Sequence, residues 1–195
     1  LDMASEWYVD EKTSMLYYYP RGDIKDEEIL FSSTVSPIIR LSEAKYIKIS
    51  GLELVATCGS AVEISDGYSN TVENCEIGNT GYRGVNIAHT VNKPNVGKNG
   101  VVGCHIFNTA ISGVTVSGGD RKNLAPSEDY VENCHLENFA YEMHSETGGL
   151  ETLNTVGVTF KNNVIHNDDS CALWMGGNDD YFAYNEIYNI GRETD

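Results

Sequence analysis

Basic residues are scarce in this chain. Lys and Arg number 13 against 29 Asp and Glu, for a formal charge of −16. Neutralising phosphates requires clustered cations, so the composition argues against nucleic acid and anionic membranes as partners. Long apolar runs are missing too: nothing approaches a membrane-spanning length, and no cleavable signal sequence is visible. The first residue is not Met, which leaves room for a targeting peptide upstream. Proline is rare, and apolar residues nowhere recur at helical spacing. No Asp-x-Asp-x-Asp-Gly loop or calcium-binding nonapeptide occurs, so the expectation is no cofactor, with calcium only weakly indicated. The cysteines match no zinc pattern, and Cys75, Cys104 and Cys134 read as stacked core thiols.

What the chain does have is glycine and asparagine for tight turns, enough apolar residues for a core, and one phrase written repeatedly. Thr71-Val-Glu-Asn-Cys-Glu-Ile-Gly-Asn79 returns at Val101–Asn108 and Val131–Asn138, and more loosely at Phe160–Asn167 and Phe182–Asn189. Aligned on these copies, one aliphatic column reads Leu54, Ile77, Ile106, Leu136, Ile165, Ile187, with steps of 23, 29, 30, 29 and 22 residues. An asparagine follows two residues later at Asn79, Asn108, Asn138, Asn167 and Asn189. A second alternating strand comes eight residues after the aliphatic position, at Val62, Val85, Val114 and Leu173. One corner is therefore fixed in length, while another accepts insertions at His89–Gly100 and Gly118–Asp129.

Short strands, a coil of about 22 residues, an asparagine turn and one variable corner describe an all-β, single-stranded right-handed parallel β-helix of six to seven coils. A leucine-rich-repeat horseshoe lacks support, because its Leu rhythm is missing. Stacked asparagines are expected to bond one another and the turn backbone. Glu6–Asp10 and Leu16–Pro20 read as an aromatic β-hairpin, giving residues 1–36 as hairpin and entry loop and 37–195 as the β-helix. Tyr141–Ser145 breaks the apolar column of the fourth coil, either as a bulge or as a functional departure.

Polar residues follow the second strand in one register: Asp66, His89, Gly118-Gly-Asp120 and Gly176-Gly-Asn-Asp179. Coils lie about 4.8 Å apart, which puts Asp120 and Asp179 roughly 10 Å apart along the axis. Glu193 and Asp195 belong to the next coil. Paired carboxylates suit glycosidic cleavage, one protonating the leaving oxygen and the other activating water or attacking carbon. Turn capping by the same aspartates is the plain alternative. Arg121 is a candidate for orienting a substrate oxygen, His144 for carrying a proton, and Trp174 for stacking on a sugar ring. His105 and His135 line up with Glu53, Glu76 and Glu186 as a surface ladder, while His166 falls on a turn with no assigned role.

The coils resemble the pectin-lyase-like right-handed parallel β-helix proteins of bacteria. The aromatic hairpin, Ser117-Gly-Gly-Asp-Arg121, Gly176-Gly-Asn-Asp179 and Tyr184–Asp195 are similar to carbohydrate-active proteins of glycoside hydrolase family 141. That resemblance implies a secreted, cell-surface or periplasmic enzyme, monomeric in its full-length form, that hydrolyses complex polysaccharide or oligosaccharide. It implies Asp120, Asp179 and Asp195 as the catalytic residues; Arg121, His144, Trp174 and Glu193 are the candidate substrate contacts, read from their places in the coils rather than from the resemblance. Tyr141–Asn154 departs from the branch, and relatives continue with further coils, so the chain is expected to be a portion truncated at both ends. A polysaccharide lyase or epimerase of the same fold, or a non-catalytic carbohydrate-binding β-helix, are the alternatives.

Overall fold

The computed structural model describes residues 1–26, 29–143 and 146–192. The chain divides into two compact units, Leu1–Phe31 and Ser32–Asp195. In the first, β1 (Trp7–Asp10) and β2 (Met15–Tyr18) pair antiparallel with Tyr8 opposite Tyr17, as the aromatic pattern predicts. Asp10 closes the turn by accepting from the Lys12 amide at 3.0 Å and the Thr13 hydroxyl at 2.7 Å.

The second unit repeats three strands six times. The first two coils contain β3 (Ile39–Ser42), β4 (Lys48–Ser50) and β5 (Glu53–Thr57), then β6 (Val62–Ser65), β7 (Thr71–Glu73) and β8 (Glu76–Thr80). The middle coils contain β9 (Val85–Ala88), β10 (Gly100–Val102) and β11 (His105–Thr109), then β12 (Val114–Ser117), β13 (Tyr130–Glu132) and β14 (His135–Glu137). The last two contain β15 (Gly148–Val156), β16 (Thr159–Lys161) and β17 (Val164–Asp168), then β18 (Cys171–Asn178), β19 (Tyr181–Ala183) and β20 (Glu186–Ile190). Every third strand joins one six-stranded parallel sheet. The first sheet runs from β3 to β18, the second from β4 to β19 and the third from β5 to β20. This is a parallel β-helix.

The aliphatic column pairs as aligned, from Leu54 through Ile77, Ile106, Leu136 and Ile165 to Ile187. Its central members are at most 1 % exposed. Fully burying such a side chain stabilises by about 1.5–3 kcal/mol, so repetition along three sheets drives the winding.

The recurring phrase is not one strand but two, bent at a residue in the left-handed region: Gly51, Asn74, Gly103, Asn133, Asn162 or Tyr184, with φ of 52–66°. Asparagine tolerates this conformation because its short amide bonds locally, and glycine because it has no Cβ. A second left-handed column, φ 50–62°, ends the third sheet at Ala56, Asn79, Asn108, Asn138, Asn167 and Asn189. Within it Asn108 donates to Asn79 at 3.0 Å and Asn189 to Asn167 at 3.1 Å.

Inside the coils Cys75, Cys104 and Cys134 are buried free thiols. The column continues as Asn163 and Asn185. Asn163 accepts from the Cys134 amide at 2.9 Å and donates to the Val131 carbonyl and the Asn185 amide oxygen, both at 3.0 Å. Each amide thereby satisfies backbone groups hidden between coils.

The fourth coil departs from the rest at Phe139–Thr147, after which Leu150 fills the place of Val114 in the first sheet. Register then shifts between Leu153 and Thr155, a bulge that lengthens β15 to nine residues.

Candidate functional site

The polar residues after the first sheet share a register but not an environment. Asp66 accepts from the Thr90 amide at 2.6 Å, the Thr90 hydroxyl at 2.9 Å and the Lys93 ammonium at 2.8 Å, and Lys93 also meets Glu43. Burial alone would raise this carboxyl, but the Lys93 and Thr90 hydrogen bonds outweigh it and bring it down to about 2. His89 is buried, with Nε2 2.9 Å from Asp129 Oδ2, inside a network that continues through Asn99 to Asn70. These two residues tie the inserted loop 89–99 to the coils.

Asp120 lies in a cleft of about 290 Å³ between the two inserted loops. Its oxygens accept from the Lys122 amide at 2.9 Å and from both the amide and side chain of Asn123. The Asn123 side chain is the main cause holding this carboxyl below its usual range, with the Lys122 amide assisting against burial. Arg121 crosses to the last coils, its Nε donating to Asn178 at 3.0 Å and its Nη1 to Asn154 at 2.9 Å. It thus fastens the Asp120 loop beside Asn178-Asp179. Asp179 is exposed with φ 54° and makes no hydrogen bond among the described residues. Its neighbour Asp180 accepts from Thr155 at 2.6 Å and from the Val158 amide at 2.9 Å. Trp174 stands in the outward column with Thr115 and Glu151 and is 41 % exposed. Asn178 is four residue steps further along the strand, about 13 Å. Asp195, Glu193 and His144 lie outside the described residues.

The larger cleft, about 450 Å³, opens at the opposite corner. The asparagine column Asn79, Asn108, Asn138 and Asn167 forms one side, with Phe139, Tyr141, Asp168, Asp169 and Arg192 around it. Arg192 pairs with Asp169 at 3.1 Å. Asp168, 2 % exposed, accepts from the Ser170 amide at 2.7 Å. Burial is the chief cause that pushes its carboxyl up to about 6, against the Ser170 hydrogen bond. Asp168 and Asp169 carry no role in the sequence reading. A signal exists: the corresponding positions are Thr57, Thr80 and Thr109 in the first three coils and Phe139 in the fourth, so an acidic residue appears here for the first time. The eight residues of β18, about 26 Å of strand, separate this pair from Asp179, so the two corners cannot share one scissile bond.

A third cluster lies on the outward face of the third sheet. His105, His135 and His166 stack in consecutive coils, with ring centroids 4.8 and 4.7 Å apart, and Tyr188 stacks on His166 at 4.6 Å. His105 faces Glu76 at 2.8 Å and Glu137 at 3.0 Å. His166 is not on a turn, as the sequence suggests, but on β17 opposite Glu137. One ligand atom from each of His135, Glu137 and His166 lies within 4.8 Å of the other two. Two nitrogens and an oxygen differ from the all-oxygen set calcium takes.

Comparison of the chain with protein-family models, curated protein sequences and solved structures found no match.

Proposed function

We propose that this β-helix belongs to a carbohydrate-active protein that hydrolyses glycosidic bonds in polysaccharide, as its resemblance to glycoside hydrolase family 141 implies. The observation that carries this reading is the composition of the larger cleft. It gathers four side-chain amides, two aromatic rings, an arginine and two adjacent carboxyls around about 450 Å³. Amides and arginine suit sugar hydroxyls, aromatic rings suit sugar faces, and a carboxyl pair suits acid–base cleavage. The Asp120–Arg121–Asp179 corner, too far from Asp168 to share its bond, and Trp174 on the strand between them then act as further contacts for a long chain. A non-catalytic carbohydrate-binding role is the second reading. It is favoured by Asp120, whose oxygens are already engaged by its own loop.

The test follows reducing-end release and unsaturated-uronate absorbance on neutral and acidic polysaccharides. The variants are Asp168→Asn, Asp169→Asn, Asp120→Asn and Asp179→Asn. New reducing ends without absorbance, lost by at least ~100-fold in Asp168→Asn or Asp169→Asn, are expected. Full turnover in both of those variants would sink the assignment to this cleft. Absorbance together with reducing ends would replace hydrolysis by a lyase reaction, and binding without turnover would favour the second reading.

A further inference from the structure

The third sheet presents two adjacent outward columns. In one, Glu53, Glu76, His105 and His135 follow each other coil by coil; in the next, Phe107, Glu137, His166 and Tyr188 do the same. Neighbouring coils are about 4.8 Å apart and alternate residues on a strand about 6.6 Å apart, so His135, Glu137 and His166 form a compact triangle on one face.

We propose that His135, Glu137 and His166 bind a single divalent transition-metal ion of the zinc class, with the remaining coordination positions open to water. A hydrogen-bonded ladder accounts for His105, whose two nitrogens each meet a carboxylate. It does not account for the other two rings. His135 Nε2 and His166 Nε2 face each other at 2.5 Å, closer than the usual range for a nitrogen donor. When each ring holds its proton on Nδ1, both Nε2 atoms present lone pairs that an ion can accept. At zinc–nitrogen distances of about 2.0–2.1 Å, two tetrahedral ligands stand roughly 3.3 Å apart, so the rings need part by only about 0.8 Å. With Nε2 as the ligand atom, His166 Nδ1 carries the ring proton; it is buried, on a side chain only 8 % exposed, 4.0 Å from Glu137 Oε2.

The surroundings prepare the donors. His135 is clamped between the His105 and His166 rings, and His166 between His135 and Tyr188. Glu137 spends Oε1 on His105 and keeps Oε2 directed toward His166, 4.0 Å from Nδ1. Glu76 holds His105 from its other side, so the chain Glu76–His105–Glu137 orients the carboxylate in the way outer hydrogen bonds orient metal ligands. Two imidazoles and a carboxylate are a borderline-soft set suited to zinc, nickel or cobalt.

The experiment titrates the chelator-treated chain with Zn²⁺ by calorimetry and with Co²⁺ by visible absorption. Expected are one Zn²⁺ per chain and cobalt bands of a nitrogen–oxygen site below six-coordination. Binding should be lost in His135→Gln/His166→Gln, weakened at least tenfold in the isosteric Glu137→Gln, and weakened about tenfold in His105→Gln. No binding by the wild type overturns the proposal, as does unchanged affinity in the double variant. A sulfur-to-cobalt charge-transfer band also overturns it, by placing the ion on a cysteine such as the exposed Cys58. The wild-type cobalt spectrum decides even if a variant fails to fold. None of these readouts depends on hydrolysis.

Discussion

Asp66 makes an acid-stability experiment possible with a magnitude fixed in advance. Its carboxyl sits near 2 in the folded chain against an ordinary 3.8. A depressed folded value means the ionised form is favoured by folding, so the gain is present above about pH 4 and is lost as pH falls toward 2. At 1.36 kcal/mol per unit the gap corresponds to about 2 kcal/mol at neutral pH, with about half of it gone by pH 3. Asp66→Asn keeps an oxygen to accept from the Thr90 amide while removing the charge that Lys93 meets. Urea unfolding of both proteins at pH 7, 5 and 3 should therefore give a difference of about 2 kcal/mol at the two upper values and about 1 at the lowest. Salt should shrink the Lys93 share but leave the Thr90 share, because hydrogen bonds are not screened as ion pairs are. Hydrogen exchange at Thr90 reports the same anchor locally. A difference that does not change between pH 7 and pH 3, or one near zero at pH 7, would refute the reasoning.

Two further outcomes test the coil interior. Ile106→Ala removes a side chain 1 % exposed at the centre of the aliphatic column and should cost about 2–5 kcal/mol in urea unfolding. Asn163→Ala strips partners from the Cys134 amide and the Val131 carbonyl; it should cost about 2–4 kcal/mol and speed exchange of the Cys134 amide, and Asn163→Asp should cost at least as much at neutral pH, because it sets a buried carboxylate against the Val131 carbonyl and the Asn185 amide oxygen.

The coils were legible in the sequence because burial repeats. Apolar positions that must face inward in every coil align from Leu54 to Ile187, and the register of the third sheet follows directly. The bend inside each phrase was not legible. A left-handed Asn74 or Asn133 interrupts a run whose alternation on either side looks continuous, and nothing in the pattern marks the change of sheet. Leu150 was missed for a related reason, since Phe139–Thr147 delays it beyond the usual eight-residue step. The candidate site was less readable still. Asp66, His89 and Asp120 share a register, yet their partners come from loops whose paths no repeat dictates. His166 and Asp168 lie within the repeat but are singular in their columns, and they show their meaning only beside Glu137 and the asparagine corner.

The uniform parallel pairing has a mechanical consequence. Backbone hydrogen bonds between coils run along the stack, so tension pulling one coil from the next loads them by peeling rather than by shear. Each coil is held to its neighbour by three short strands, whereas the chain within a coil is covalent. Stretching should therefore release coils one at a time, with steps of about 75–100 Å for the 22–30 residues each contains. The asparagine column would lose a rung as each of its coils is released, while the histidine column, confined to the coils of β11, β14 and β17, would stay whole until the outer coils on one side have gone.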